Sequence, residues 1–440
     1  MNILIVDVAG SALDWALRCQ DAGHKVKLYI DFTKEHLYNY IGEGLVERVN
    51  AWKPHMKWAD LIFMTDNVKH MNEMETFHKQ GYPIFGPNKE GAKLELERQY
   101  GQEIFKKCGM KIIPSYEFSN YNEAIKFVYK TKGEYVSKPD GDADKALSYV
   151  SKNPADMIFM LERWKESNKL KKGFILQEKV KGIEMAVGGW FGKDGWASNV
   201  NHNWEFKKLM NDDLGVATGE QGTILQYSLF DDSLLAKKCL EPLTDHLLKH
   251  NYIGFLDVNC MIGEDGTPWP LEFTCRPGWP HFQIVQALHK GDPADWMVDL
   301  IEGFDSMKVS YDVACGVVLS QPDYPYSTLT KKEVSGVPVY GITDKNRDHI
   351  HPAEMMLGEA HCMDGDNIVK KEMMVSAGDY VLVTSGVGKT VEKAREASYK
   401  VMKELEMPNS IMYRTDIGCR LEKQLPILHK LGYAEELKYD

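Results

Sequence analysis

The sequence predicts a multidomain protein that is α/β in its first part and α+β beyond it. The chain has 440 residues, of which 43% are hydrophobic and 27% are charged. At roughly 150 residues per domain, this length predicts about three domains. The first 30 residues have the pattern of a strand, a helix and a second strand, whereas helices and strands alternate less regularly further on. These two patterns together give the mixed fold class.

The α/β part begins with a βαβ unit. We predict a strand at 2–8, a helix at 12–23, and further strands at 25–30, 59–66 and 82–86. The Gly10–Ser11 step separates the first strand from the helix. These intervals fit a small parallel sheet that ends near residue 88.

The α+β part runs from residue 91 to the end of the chain. We predict helices at 91–108, 153–169 and 233–250, strands within 112–118, 134–139, 174–180, 184–191, 252–262 and 267–276, and short strands at 315–321, 338–342 and 379–385 before terminal helices. The turn Gly-Glu-Asp-Gly at 263–266 predicts a hairpin. The predicted domains are 1–88, 89–312 and a mostly structural 313–440.

Composition narrows the class of function. The eight cysteines include no C-x-x-C pair, which argues against a disulfide framework or a zinc ribbon. A net charge of −11 without a basic block gives no electrostatic footprint for nucleic acid. No apolar run approaches the roughly 18–20 residues of a membrane span. We therefore expect a cytoplasmic protein that acts on small molecules.

The predicted hairpin carries polar residues at alternate positions. Glu272, Thr274 and Arg276 share one face of the second strand, and Asp257 and Asn259 are two apart on the first. Oxygen ligands of this kind suit Mg²⁺. The alternative is a solvated outer face of an antiparallel hairpin.

A second polar segment follows the strand at 134–139. Lys138 ends this strand, and a turn with Asp140, Gly141 and Lys145 comes next, as a lysine clamp on nucleotide phosphates requires. The alternative is a lysine on plain surface, where most lysines lie.

The order of these motifs resembles that of the ATP-grasp ligases, and more narrowly the phosphoribosylamine–glycine ligase family. The strand-end Lys138 is followed by Q-E-K-V-K-G-I-E at 177–184 and by L-D-V-N at 256–259 with L-E-F-T-C-R at 271–276. Segments 85–95 and 413–420 extend the likeness over nearly the whole chain. The resemblance implies an ATP-grasp fold with a Rossmann-like N-terminal domain, a central domain whose mobile lid spans 113–180, and a mixed C-terminal domain.

The resemblance also implies roles for individual residues. ATP is expected to contact Arg98, Lys138, Lys145, Glu178, Lys179, Val180 and Glu184, with Glu184 on the ribose. Magnesium or manganese ions are expected at Glu272, Asp257, Asn259 and Thr274. Arg276, Glu272 and Lys138 are the expected catalytic residues. Glu272 would bridge the metal ions, Lys138 would hold the α- and β-phosphates, and Arg276 would steady the transferring phosphoryl group or acyl phosphate.

The amine side departs from the family pattern. The family has a Gly-Gly-Arg-Glu-His loop for the phosphate of its amine after the first strand, whereas this chain has Asp7 to Leu13, and a second acceptor loop is replaced by 64–68. The substrate-side candidates are Gly10, Ser11, Lys207, Lys208, Thr218 and Gly219. Thr274 stands where the family has an asparagine ligand.

These expectations predict a ligase, either a monomer or a homodimer, that activates a carboxylate as an acyl phosphate and transfers it to an amine. Glycine and phosphoribosylamine are the leading pair. One alternative is a ligase that joins glycine or another amino acid to a different amine, such as a nucleotide or modified base. The other is an inactive ATP-binding regulatory protein.

Two further motifs are interpreted as structural. The segment 385–390, Ser-Gly-Val-Gly-Lys-Thr, lacks the first glycine of a phosphate-binding loop because Val383 stands at that position. His349 and His351 share a strand face without a third ligand nearby, so we predict a surface pair.

Overall fold

The computed structural model describes residues 1–31, 40–139, 149–167, 173–408 and 411–440. Within them, no helix is both long and apolar enough to cross a lipid bilayer. The strands form one parallel sheet at the start of the chain and several antiparallel sheets after it.

The parallel sheet confirms the predicted βαβ opening. Its elements are β1 (Asn2–Asp7), α1 (Leu13–Asp21), β2 (Lys25–Ile30), β3 (Glu47–Arg48), β4 (Leu61–Met64), α2 (Met71–Lys79) and β5 (Ile84–Phe85). The strand order is β3-β2-β1-β4-β5. Ile3 and Ile5 pack into the core on one face and Leu4 and Val6 into the core on the other, which explains the continuous apolar run of β1. Because β1 and β4 are parallel, the loops that follow them leave the sheet at the same end.

A smaller antiparallel sheet follows in the region of the predicted lid. Its elements and the helices before it are α3 (Lys89–Leu96), α4 (Arg98–Lys107), β6 (Ser115–Phe118), α5 (Tyr121–Thr131), β7 (Tyr135–Pro139), β8 (Tyr149–Val150), α6 (Pro154–Glu166) and β9 (Phe174–Glu178). The strand order is β6-β9-β7-β8. Side chains of α5 and α6, among them Val128 and Leu161, form a separate core with Phe174 of β9.

The largest sheet contains the predicted hairpin with its polar residues. The elements from here to the predicted domain boundary are β10 (Gly182–Gly192), β11 (Gly195–Glu205), β12 (Lys208–Met210), β13 (Leu214–Ala217), β14 (Gly222–Leu229), α7 (Leu234–Cys239), α8 (Thr244–Lys249), β15 (Gly254–Gly263), β16 (Pro268–Thr274), α9 (His281–Val285), β17 (His289–Lys290), α10 (Asp295–Glu302) and β18 (Lys308–Val309). Beyond it lie β19 (Val313–Ser320), α11 (Lys331–Val334), β20 (Ile350–Pro352), β21 (Met355–Asp364), β22 (Asn367–Ser376), β23 (Tyr380–Gly388), α12 (Val391–Met402) and α13 (Leu421–Lys430).

The large sheet has the order β16-β15-β10-β11-β14-β19-β23-β20. It therefore joins strands on both sides of residue 312 through the antiparallel pairing of β14 with β19. The division into three domains stays a prediction, and the central and C-terminal parts share backbone hydrogen bonds.

Three predicted elements differ from the structure. The helix at 91–108 is divided into α3 and α4 at Glu97, whose ψ of 80° is not helical. The helix at 233–250 is interrupted between α7 and α8 by a 3₁₀ turn at Glu241–Leu243, because Pro242 lacks the N–H that a continuous α-helix uses. The strand at 338–342 is wrong: Pro338 and Tyr340 form isolated bridges, and Gly341, with a φ of 90°, turns the chain.

Candidate active site

The β15–β16 hairpin presents the acidic side chains of the site. Its register sets Asn259 opposite Glu272 and Asp257 opposite Thr274, in agreement with the pairing expected from the sequence. The turn is closed by a hydrogen bond from the Gly263 N–H to the Thr267 carbonyl, 2.9 Å. Cross-strand neighbours lie about 5 Å apart, so the four polar side chains form one group.

The opposite face of β16 is anchored in the core. Phe273 is buried and stacks on Phe105 of α4, with ring centroids 3.9 Å apart and an angle of 11° between the rings. Because side chains alternate along a strand, this stacking directs Glu272 away from the core. The side chain of Glu272 keeps 42% of its surface accessible, so it lines an open cleft.

Three cationic side chains surround Glu272. Arg98 Nη1 lies 3.5 Å from Glu272 Oε2, and Lys207 Nζ lies 4.0 Å from Glu272 Oε1. Burial alone would raise the pKa of Glu272, but Lys207 first, then Lys138 and Arg98, lower this pKa to about 2. Glu272 is therefore a stable carboxylate that faces the strand-end lysine Lys138.

Lys138 is poised to receive an anion. Burial, followed by repulsion from Arg98, lowers the pKa of Lys138 to about 8, against the attraction of Glu272. A lysine in this state gains charge stabilisation from any additional negative group. Phosphate oxygens are groups of this kind.

Lys207 ties the hairpin to the neighbouring strands. Its Nζ lies 2.9 Å from Glu184 of β10 and 2.8 Å from Glu205 at the end of β11. Burial alone would lower the pKa of Lys207, but Glu184, Glu205 and Glu272 raise it well above its usual value. Lys207 therefore stays charged, and Glu205 joins the site although it was not among the predicted site residues.

Two buried polar atoms beside Glu272 have no hydrogen-bond partner in the described part of the chain. They are the amide oxygen Asn259 Oδ1 and the guanidinium nitrogen Arg98 Nη1. The Asn259 amide nitrogen is fixed by Glu184 and Glu205, each accepting at 3.0 Å, and this orients Oδ1 as a free acceptor. Among the described residues, Arg98 Nη1 has its 3.5 Å ion pair with Glu272 but no hydrogen bond, so one unused acceptor and one weakly held donor flank the carboxylate.

Asp257 is the second carboxylate of the hairpin. It is buried and accepts a hydrogen bond from Asn203 Nδ2 at 2.8 Å. Burial, and then the negative charge of Glu205, raise the pKa of Asp257 to about 7. With Glu272 and Asn259 Oδ1, this side chain supplies the hard oxygen donors that Mg²⁺ or Mn²⁺ prefers, so the donor set fits a divalent cation.

Arg276 is held by a glutamate that the sequence did not single out. Its Nε lies 3.3 Å from Glu95 Oε1, and Glu95 Oε2 accepts from the Cys275 N–H and from Asn67 Nδ2, both at 2.7 Å. Burial raises the pKa of Glu95 although Arg276 opposes this. The loop after β4, which contains Asn67, is thereby linked to Arg276.

The expected adenine hinge lies between β9 and β10. Glu178 accepts from the Tyr116 hydroxyl at 2.8 Å, and the Lys179 N–H donates to the Glu134 carbonyl at 3.0 Å. The Lys179 ammonium pairs with the Glu134 carboxylate at 3.0 Å. In the described residues, the Val180 N–H makes no hydrogen bond, so this donor is free for a base.

The loop after β1 directs its donors inward. Asp7 accepts from the backbone N–H groups of Ala9, Gly10 and Ala12 at 2.9–3.1 Å, and from the Ser11 hydroxyl at 3.4 Å. Burial raises the pKa of Asp7 although these hydrogen bonds oppose it. A carboxylate of the protein itself thus binds the donors that an incoming phosphate would need.

The remaining substrate-side candidates lie around the β12–β13 hairpin. Thr218 donates to the Lys207 carbonyl through both its N–H and its hydroxyl, each at 2.8 Å, so it positions Lys207. The Lys208 ammonium donates to the Gly215 carbonyl at 3.5 Å and is not part of the Lys207 ion pairs. Gly219 is exposed.

The structure therefore groups part of the predicted set around one cleft. This group comprises Lys138, Arg98, Lys207, Glu184, Glu272, Asp257, Asn259 and Thr274. Lys145, with the turn at 140–148, lies outside the described residues.

The structure tests the interpretation of two motifs as structural, the segment 385–390 and the pair His349 and His351. Lys389 is exposed and pairs with Asp312 at 2.6 Å, which agrees with the rejection of a phosphate-binding loop. The predicted surface pair is wrong for His351, which is fully buried between Asp14, 2.8 Å from its Nδ1, and Ser385, 2.8 Å from its Nε2. The error arose because Asp14 is distant in sequence, and a paired histidine is readily buried.

Comparisons with known proteins identify the family that this chain resembles. The family model described as "Phosphoribosylglycinamide synthetase, ATP-grasp (A) domain" matches residues 96–281, and the model for the C domain of the same synthetase matches residues 314–420. Together they span about two thirds of the chain.

Individual relatives match at moderate identity. A phosphoribosylamine–glycine ligase of Ralstonia nicotianae is 26% identical over 361 residues, 79% of this chain and 81% of the relative. The corresponding ligase of Clostridium acetobutylicum is 27% identical over 365 residues, 78% of this chain and 80% of the relative. The crystal structure of a phosphoribosylamine–glycine ligase from Thermotoga maritima superimposes with a TM-score of 0.69 at 21% identity, covering 95% of this chain and all of that one.

Proposed function

The chain belongs to the phosphoribosylglycinamide synthetase family of ATP-grasp ligases, and from this premise we propose that it joins glycine to phosphoribosylamine. The enzyme class is an ATP-dependent, ADP-forming C–N ligase. The names of the similar ligases supply the two substrates. The roles of the individual side chains form part of the same proposal.

The reaction has two steps in one cleft. An oxygen of the glycine carboxylate attacks the γ-phosphorus of ATP, and the bond from this phosphorus to the β,γ-bridging oxygen breaks, which gives an acyl phosphate and ADP. The amine nitrogen then attacks the acyl carbon, phosphate leaves and the amine loses a proton. No nucleophilic side chain is required, because positioning and charge stabilisation drive phosphoryl transfer.

The observation that carries the proposal is the pair of incompletely bound buried atoms beside Glu272. In the described structure, Asn259 Oδ1 is an acceptor without a donor, and Arg98 Nη1 makes no hydrogen bond beyond its 3.5 Å ion pair with Glu272. Leaving the Asn259 oxygen unsatisfied costs about 1–3 kcal/mol. A triphosphate oxygen satisfies the donor and a divalent cation satisfies the acceptor, so a metal–nucleotide complex complements both.

The cationic side chains of Lys138 and Arg98 would change their ion-pair partners when the nucleotide binds. Without it, Lys138 and Arg98 are drawn to Glu272. The triphosphate carries more negative charge than a single carboxylate, so these two side chains would turn to the phosphates. Glu272 would then be released to bind a cation.

Glu272, Asp257 and Asn259 would hold Mg²⁺ or Mn²⁺, with Thr274 beside them. The cation would supply neutralisation of the negative charge that builds up on the phosphate oxygens. Asp257 would act as a ligand in its ionised form, which its pKa of about 7 makes available near neutral pH.

The remaining predicted residues would contact the adenine, the ribose and the transferring phosphoryl group. The free N–H of Val180, with the carbonyl of Lys179 and Glu178 beside it, would contact adenine, and Glu184 would receive the ribose hydroxyls. Arg276, fixed by Glu95, would stabilise the transferring phosphoryl group.

A second candidate keeps the chemistry and changes the amine. The N–H donors of Gly10 and Ala12 are bound by Asp7, in the loop where the family resemblance places the phosphate of phosphoribosylamine. This observation favours an amine without a phosphate at that position.

One assay separates the candidates. The purified protein with Mg-ATP and glycine is offered phosphoribosylamine, formed in the reaction mixture, and a panel of other amines, while ADP release is measured. ADP release with phosphoribosylamine supports the leading proposal, and release with another amine alone supports the second candidate. If ATP binds but no pair of substrates gives turnover, the ligase proposal is wrong and a regulatory ATP-binding role replaces it.

A further inference from the structure

A cluster of two histidines and a glutamate lies outside the proposed nucleotide cleft. His246 belongs to α8 and His250 follows its last residue, while Glu90 lies in the first turn of α3. One ligand atom from each of the three lies within 4.8 Å of the other two. We propose that Glu90, His246 and His250 form a binding site for a transition-metal dication, best suited to Zn²⁺.

The donor atoms are already close to a metal geometry. His246 Nε2 lies 2.8 Å from Glu90 Oε1, and His250 Nδ1 lies 3.8 Å from Glu90 Oε2. Ligand atoms of a tetrahedral zinc site are about 3.3 Å apart when each bond is about 2.0–2.1 Å long. Small side-chain rotations would therefore place the three donors around one ion, with water as the fourth ligand.

Backbone and side-chain contacts hold the two helices in register. Asn88, the N-cap of α3, donates through its side chain to the His250 carbonyl at 2.9 Å and accepts from the Gly91 N–H at 3.0 Å. The Tyr100 hydroxyl donates to Glu90 Oε1 at 2.6 Å. Such second contacts to a ligating carboxylate orient it and strengthen metal binding.

The chemistry of the donors selects the ion. Two imidazoles and one carboxylate suit Zn²⁺, Co²⁺ or Ni²⁺ better than Mg²⁺, which prefers oxygen ligands alone. The side chains of Glu90, His246 and His250 retain 12%, 16% and 34% exposure, so an ion can reach them. The cation would take the place of the hydrogen between His246 Nε2 and Glu90 Oε1, and a neutral His246 would then carry its one ring proton on Nδ1.

The test uses Co²⁺ as a spectroscopic probe on the full-length, nucleotide-free protein. Tetrahedral Co²⁺ with nitrogen ligands absorbs visible light far more strongly than Co²⁺ in an octahedral oxygen site. Any Co²⁺ in the proposed nucleotide cleft at the β15–β16 hairpin would therefore add little to the absorbance. We expect a saturable band at one ion per chain, and an excess of Zn²⁺ should abolish it. The Glu272→Gln variant should retain the band, because the proposed nucleotide cleft is a separate site.

Variants make the assignment specific. His246→Gln and His250→Gln should each lose the band, and Tyr100→Phe should bind about tenfold more weakly. The matched control is His361→Gln, because His361 is an exposed histidine outside the cluster. Circular dichroism checks folding, and the more exposed His250 serves if His246→Gln does not fold. No band in the wild type, or a band that survives both histidine substitutions, would overturn the proposal.

Discussion

The hairpin cleft and the β1–α1 loop use their polar groups in opposite ways. In the cleft, Asn259 Oδ1 is buried without a hydrogen-bond partner among the described residues, and Arg98 Nη1 has an ion pair with Glu272 at 3.5 Å but no hydrogen bond. In the loop, the backbone donors of Gly10 and Ala12 are occupied by Asp7. Unsatisfied buried groups mark a place where a ligand completes the structure, whereas satisfied groups mark a place that is complete without one.

The largest effect on activity is expected at Glu272, and it tests whether the cleft is the ligand site. Glu272→Gln removes the carboxylate that three cations surround, while the volume of the side chain is preserved. We expect kcat to fall about 10³-fold, because a charge that organises the transferring phosphoryl group and its cation is lost. ADP release under saturating ATP, glycine and amine measures this effect.

Glu264→Gln is the matched control for Glu272→Gln. Glu264 lies in the turn of the same hairpin and is exposed, so activity should stay within about twofold of the wild type. Circular dichroism should give the same spectrum for both variants. Near-normal turnover of Glu272→Gln would contradict the assignment of the cleft.

The next largest effect is expected at Asp7. Asp7→Ala leaves the N–H groups of Gly10 and Ala12 buried without an acceptor, so the free energy of unfolding should fall by about 3 kcal/mol. Urea denaturation measures this change. Asp21→Ala is the control, because Asp21 forms an exposed ion pair with Arg347 and should alter stability by less than about 1 kcal/mol.

Inorganic phosphate sharpens the test of the loop. If the Asp7 carboxylate stands in for a bound anion, phosphate should raise the Tm of Asp7→Ala by more than it raises the Tm of the wild type, whose Lys138 and Arg98 in the cleft can also bind phosphate. An equal rise in both proteins would show that removal of Asp7 creates no phosphate site in the loop, and this would remove the argument for a different amine.

A smaller effect concerns pH. The pKa of Asp257 is about 7 and that of Lys138 is about 8. Cation binding needs ionised Asp257 and phosphate binding needs protonated Lys138, so kcat/KM for Mg-ATP should rise with pH through about 7 and fall above about 8. Each limb should change by about tenfold per pH unit.

The shape of the profile identifies the groups. Asp257→Asn should lose the acidic limb and retain the alkaline one, even if the maximum rate is lower. A flat profile between about pH 6 and about pH 9 would contradict both assignments.

The sequence predicted the hairpin site better than its surroundings, and the reason is locality. Alternation and a tight turn are enough to place Asn259 opposite Glu272. The ion pairs of Lys207 require β10 to pair with both β11 and β15, and no local pattern specifies that arrangement. His351 and Asp14 are 337 residues apart, so the burial of His351 depends on how the N- and C-terminal parts pack together. For the same reason Glu95 was missed as the partner of Arg276.

Glu95 gives the smallest predicted effect on activity. Glu95→Gln keeps a hydrogen-bond acceptor for the Cys275 N–H and removes the charge that holds Arg276. Because Arg276 would act on the transferring phosphoryl group rather than on bound ATP, kcat should fall about fivefold while the KM for Mg-ATP stays unchanged. Glu97→Gln, two residues along and exposed, should change neither constant. A rise in KM with an unchanged kcat would instead place Arg276 in ground-state nucleotide binding, and the cleft would then lose its proposed catalytic arginine.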